Sequence, residues 1–152
     1  MKAFAVVALW TFGLPGLAGA ADISTCRNPS GFAYYHYQAL VPVEKSGWTK
    51  DAITGGVTQF VKTADGKYDI LLLDSTKNIK SLRQEGGEII LVSKSQVHAT
   101  FVHISGATEI YSVYRENTGK VKFDLLQSKN NEALGKGAAM TGECDFLNLN
   151  AL

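Results

Sequence analysis

The sequence predicts an all-β domain: a single antiparallel up-and-down barrel or sandwich of about eight strands, with its terminal segments joined by a disulfide. Three observations carry that reading. Between Val57 and Leu126, short apolar and β-branched runs recur about every ten residues, each cut off by a small polar turn. No long helical pattern lies between them, and the connections are too short for parallel crossovers. The only two cysteines, Cys26 and Cys144, bracket nearly the whole chain.

Met1–Ala20 reads as a secretory signal peptide, with Lys2 in the n-region, an apolar stretch from Ala3 to Leu17, and Ala18-Gly19-Ala20 as the cleavage site. The competing reading is a retained anchor, which the interruption at Pro15 and the short apolar core disfavour. Ile23-Ser24-Thr25-Cys26 is a poor lipid-attachment signal. Loss of the leader removes Lys2 alone among the charges, so 15 basic residues become 14 against 14 acidic ones. A near-neutral chain lacks the clustered Lys and Arg that bind nucleic acid or anionic lipid. Neither nucleic acid nor, after cleavage, a membrane is therefore expected as partner. Lys77, Lys80 and Arg83 read as a solvated face. The remaining length, from Asp22 to Leu147, suits one domain, with 148–152 as a frayed tail.

In an exported chain, a lone cysteine pair at the two ends reads as a disulfide. Closing so long a loop stabilises by on the order of 4–5 kcal/mol in the chain-entropy model. The expected compartment is periplasmic or secreted.

Asn28-Pro29-Ser30-Gly31 is a turn, and Pro29 spoils its glycosylation sequon. Phe32–Tyr37 is the densest aromatic stretch. As a strand it sends Phe32, Tyr34 and His36 to one face and Tyr35 and Tyr37 to the other. Two readings stay open: a recognition surface built on amphipathic aromatics, or a first strand whose rings cap the fold. Leu40-Val41-Pro42-Val43 would end that strand. Glu44–Gly55 would be a loop holding Trp48 as a plug, with Thr49–Ile53 long enough for one helical turn beneath it.

The repeating strands are Val57–Thr63, Lys67–Asp74, Asn78–Gln84, Glu88–Ser93, Val97–Ile104, Thr108–Arg115 and Lys120–Gln127. Val121, Phe123 and Leu125 alternate with Lys122 and Asp124, which marks one wet and one buried face. Tyr68–Leu73 and Glu88–Val92 are apolar on both faces and should be covered on both. Asn78–Gln84 is either a strand or a short helix capped by Ser75 or Thr76; the rhythm favours strand. Ser128–Gly137 reads as a mobile loop, and Ala138–Phe146 as the closing strand that carries Cys144.

No nucleophile elbow, zincin motif, phosphate loop or dinucleotide fingerprint occurs, so no cofactor, metal or catalytic set is predicted. His98 and His103, an odd number of residues apart on one strand, point to opposite faces. Asp69 and Asp74 do likewise, so the enzyme reading has no motif behind it. The function expected is an exported, non-enzymatic interaction module. It would present Tyr34, Tyr35, His36, Tyr37 and Trp48 to a protein partner. The alternative is a carrier holding a small apolar ligand inside a lipocalin-like barrel, although Gly47 adjoins Trp48 and the lipocalin Gly-x-Trp is absent. Bulky Phe60, Phe101, Phe123, Leu71 and Leu73 argue for a filled interior instead.

Ser105-Gly106-Ala107, within Ile104–Tyr111, resembles the Ser-Gly-Ala loop of bacterial C-type lysozyme inhibitors, which are small exported β-barrels. In that family a Lys or Arg and a nearby Tyr usually follow. Here Thr108 and Glu109 occupy those places and Tyr111 is displaced, over a likeness of about eight residues. The resemblance implies a lysozyme-inhibitor-like periplasmic protein.

Overall fold

The computed structural model describes residues 20–73, 78–131 and 133–152. The leader read at Met1–Ala20 lies outside the described residues apart from its last position, as do Asp74–Lys77 and Glu132.

Among the described residues, ten antiparallel strands form one sheet that curls on itself: β1 (Ala21–Tyr35), β2 (Gly47–Ala52), β3 (Val57–Lys62), β4 (Tyr68–Leu73), β5 (Ile79–Ser81), β6 (Glu88–Lys94), β7 (His98–Ile104), β8 (Ala107–Arg115), β9 (Val121–Asn130) and β10 (Gly135–Cys144). Their order is β5-β4-β3-β1-β10-β9-β8-β7-β6, and β2 lies off this path, paired with β1. From β6 to β10 the chain is a plain meander, as the ten-residue rhythm predicts.

β1 explains the rest of the topology. Its first half, to Arg27, pairs with β3, while its second half, from Ser30, pairs with β2. A bulge between Arg27 and Ser30 separates the halves, and there Asn28 takes φ 50°, a conformation Asn tolerates better than most residues. Asn28 Oδ1 accepts the Gly55 N–H at 2.8 Å, and the Asn28 N–H donates to the Gly56 carbonyl at 3.0 Å. The β2–β3 connection is thus docked on the bulge, and β2 and β3 follow one another along the same side of β1. β10 runs along the other side through both halves, placing Cys144 opposite Cys26 and Lys136 opposite Tyr35. The Cys26–Cys144 disulfide joins the two near-terminal strands.

The core lies inside the curl. Phe60 stacks on Phe101 with ring centroids 5.5 Å apart, and meets Tyr111 at 5.7 Å and Phe123 at 6.4 Å, edge to face. These four rings are essentially inaccessible to solvent. Each such side chain contributes about 1.5–3 kcal/mol by burial. Val121, Phe123 and Leu125 point inward, as their alternation predicts.

Several expectations need correction. Glu44–Gly55 is not a loop with a helical turn. Gly47–Ala52 is a strand, and Trp48 is exposed rather than a plug. Leu40–Val43 does not end the first strand, which stops at Tyr35 and begins well before Phe32. Ser128–Gly137 is mostly strand: β9 and β10 extend into it, and the Asn131 side chain accepts the N–H groups of Ala133 and Leu134 at the hairpin end. Asn78–Gln84 holds the strand that the rhythm favours, shortened to Ile79–Ser81 and followed by a turn pinned by buried Asp69. That carboxylate accepts the Ile70 and Arg83 N–H groups and the Ser81 hydroxyl. Glu88–Val92 is covered on one face only; Ile90 and Val92 are exposed. The Asn148 N–H donates to the Ile23 carbonyl, and a 3₁₀ turn at Leu149–Ala151 packs against the core.

Candidate functional site

Alternation along β1 divides its aromatic residues between the two faces. Phe32 and Tyr34 point outward, Phe32 being 54% exposed. Trp48, directly opposite Tyr34 on β2, is 72% exposed. The Tyr34 ring stands edge to face with Trp48 at 5.5 Å and with His36 at 5.4 Å. These residues form a ridge on the outer face. From it an apolar row continues around the sheet in direct register: Ala139, Leu126, Ile110, Val102 and Ile90 lie strand by strand beyond Phe32.

The connection from β1 to β2 extends the ridge. Tyr37, Leu40 and Val43 are 70%, 72% and 66% exposed. Their backbone is ordered by a Gln38–Val41 bridge, by the Leu40 N–H donating to Ala133, and by a 3₁₀ turn at Val43–Lys45. Between this connection and β2 lies a groove of about 500 Å³ lined by Tyr35, Leu40, Val41, Pro42, Trp48 and Thr49, among others.

Tyr34, His36 and Trp48 are therefore brought together, and Tyr37 stands exposed beside them. Tyr35 points to the other face. Its hydroxyl donates to Asp51 Oδ2 at 3.0 Å, and its ring lies 5.4 Å from the Lys136 ammonium, which itself pairs with Asp51. Burial resists ionisation of Asp51, yet Lys136 and Tyr35 outweigh it and hold the carboxyl below its usual value. Burial likewise opposes the charge on Lys136, and Asp51 reverses the balance and raises it.

A second polar cluster is internal. Glu109 Oε2 accepts the Tyr111 hydroxyl at 2.7 Å and lies 2.9 Å from His103 Nδ1, the donor opposite an acceptor-only carboxylate; Gln127 donates to Oε1. Burial, then the Glu109 charge, raises the Tyr111 hydroxyl well above 10.0. Sequence reasoning missed this cluster, although Glu109 shares its period-2 face with Tyr111 and Val113. Leu40, Val43 and the β2 edge were also missed. His98 lies at the β6–β7 turn, hydrogen-bonded to Ser93 and Ser95, apart from His103. Among the described residues, no three His, Cys, Asp or Glu side chains are placed to hold a metal ion.

No family model, curated protein or solved structure matches the chain. The disulfide is compatible with an oxidising compartment, and among the described residues no helix is long and apolar enough to cross a membrane.

Proposed function

We propose that this is an exported binding module, acting in a periplasm or outside the cell, that recognises a protein partner through the ridge of Phe32, Tyr34, His36 and Trp48 and the adjoining β1–β2 connection. One observation carries the reading: the interior is filled by Phe60, Phe101, Tyr111 and Phe123, while large apolar side chains stand exposed on one connection and the strand faces beside it. These packed rings argue against the carrier alternative. Exposed Trp and Tyr on a braced β scaffold supply contact area at small entropic cost. Export is supported by the leader-like N-terminus together with the disulfide. The likeness of the Ser105–Ala107 turn to C-type lysozyme inhibitors makes a lysozyme the first soluble partner to assay.

The test is photocrosslinking in the native host from a photoreactive residue at position 37, followed by affinity measurement with the purified partner. The reading expects a discrete adduct and binding weakened at least tenfold by Trp48→Ala. No adduct, or equal affinity for both chains, contradicts it.

A further inference from the structure

We propose that the outer edge of β2 is a docking strand, to which an extended segment of the partner protein adds backbone to backbone; this rests on the protein-partner reading and names the form the partner takes.

Backbone phase carries the argument. In an antiparallel pair, consecutive residues turn their N–H and C=O groups to opposite sides. The His36 N–H donates to the Gly135 carbonyl at 2.9 Å, so even-numbered residues in this half of β1 face β10 and odd-numbered ones face β2. The Ile53 N–H donates to the Pro29 carbonyl at 2.9 Å, which fixes the same phase from the other strand. Gly47, Thr49 and Asp51 therefore bond to β1, and Trp48 and Lys50 direct their backbone groups outward. Local groups confirm the direction: the Ala52 N–H, in the same outward set, is taken by Asp51 Oδ1 at 2.9 Å, and the Lys50 carbonyl meets the Thr49 hydroxyl only at 3.4 Å. Among the described residues, no strand but β1 pairs with β2.

The surroundings choose the occupant. On the ridge face, Trp48 offers an apolar neighbour to one residue of an added strand. Lys50, two positions along on that face, has no ion-pair partner among the described residues and fits a carboxylate. The groove beside Leu40 and Pro42 receives a side chain from the opposite face. A Lys in mid-edge discourages pairing with a second copy about that residue, where two ammonium groups would meet. The other long edge, on β6, is blunted by a bulge between Leu91 and Ser93. The Lys136–Asp51 pair holds β2 in place beforehand, which lowers the ordering cost of binding. The occupant is thus an extended segment with an acidic and an apolar residue two positions apart.

The probe is a library of random twelve-residue peptides, selected on the exported chain with its N-terminus read by mass spectrometry. The inference expects enrichment of acidic–x–apolar or apolar–x–acidic peptides. Binding should slow amide exchange of Trp48 and Lys50 about tenfold or more and leave Thr49 and Asp51 unchanged. Lys50→Glu, at an exposed edge position with no ion pair among the described residues, should turn the selected charge basic. No enrichment, or binders that leave Trp48 and Lys50 exchange unaltered, overturns it. A partner crosslinked at position 37 without that exchange change would remove strand addition and leave the protein-partner reading standing.

Discussion

Lys136 on β10 reaches past β1 to the carboxylate of Asp51 on β2, where the Tyr35 hydroxyl also donates. A short strand hydrogen-bonded along one edge is thereby clamped from two strands away. The clamp lies against the inner side of the edge that the ridge overlooks.

That pair sets a pH window. Asp51 has a folded value below its ordinary 3.8, so its contribution is present above that value and is lost as pH falls through the folded one. Lys136 has a folded value above its ordinary 10.5, so its contribution is complete below 10.5 and is lost as pH rises through the folded one. Asp51→Asn should cost about 1.5–3 kcal/mol at neutral pH, the range for a hydrogen bond to a charged group. The difference from the parent should shrink below pH 3.8. Urea unfolding at pH 7 and pH 3 checks this, and a pH-independent difference refutes the clamp.

The disulfide closes most of the chain. Cys26→Ala with Cys144→Ala should lower unfolding free energy by on the order of 4 kcal/mol in urea, through the unfolded ensemble. A loss under about 1 kcal/mol would mean that the unfolded chain is held together by something else.

Glu109 accepts from three side chains in the interior. Glu109→Leu leaves buried donors on His103 and Tyr111 without an acceptor and should cost about 3 kcal/mol or more. The parent should hold Tyr111 protonated as pH passes 10.0, since its folded value is raised; stability is full below that pH and falls above it. Absorbance titration at alkaline pH should show one tyrosine that ionises only on unfolding.

Two phenylalanines separate stability from recognition. Phe60→Ala should cost about 3–5 kcal/mol, because Phe60 touches three other buried rings. Phe32→Ala, at an exposed outer position, should change stability by less than about 1 kcal/mol and weaken partner binding. Similar losses of stability in both would contradict the division between core and ridge.

The meander from Glu88 to Gln127 was legible because each strand's own pattern specifies it: Val121, Phe123 and Leu125 turn inward by simple alternation. The cysteine pair was legible from composition and placement. β2 was not, since Gly-Trp-Thr-Lys-Asp-Ala carries one large apolar residue and is made a strand by Phe32–Tyr35 beside it. The Ser128–Gly137 stretch misled for a related reason: Gly135 and Gly137 signal a loop locally, yet their backbone pairs with Asn130 and Ser128. The aromatic ridge was visible as a run of residues. The edge beside it depends on which carbonyls face which neighbour, and no side-chain pattern encodes that.

Residue-resolved amide hydrogen exchange on the free protein, read across Gly47–Ala52, tests the β2 edge most directly. Alternation is expected: slow exchange at Thr49 and Asp51, whose N–H groups bond to β1, and fast exchange at Trp48 and Lys50, whose groups face outward. Uniformly fast exchange would return the segment to a loop, and uniformly slow exchange would mean the edge is already covered; either contradicts a free docking strand.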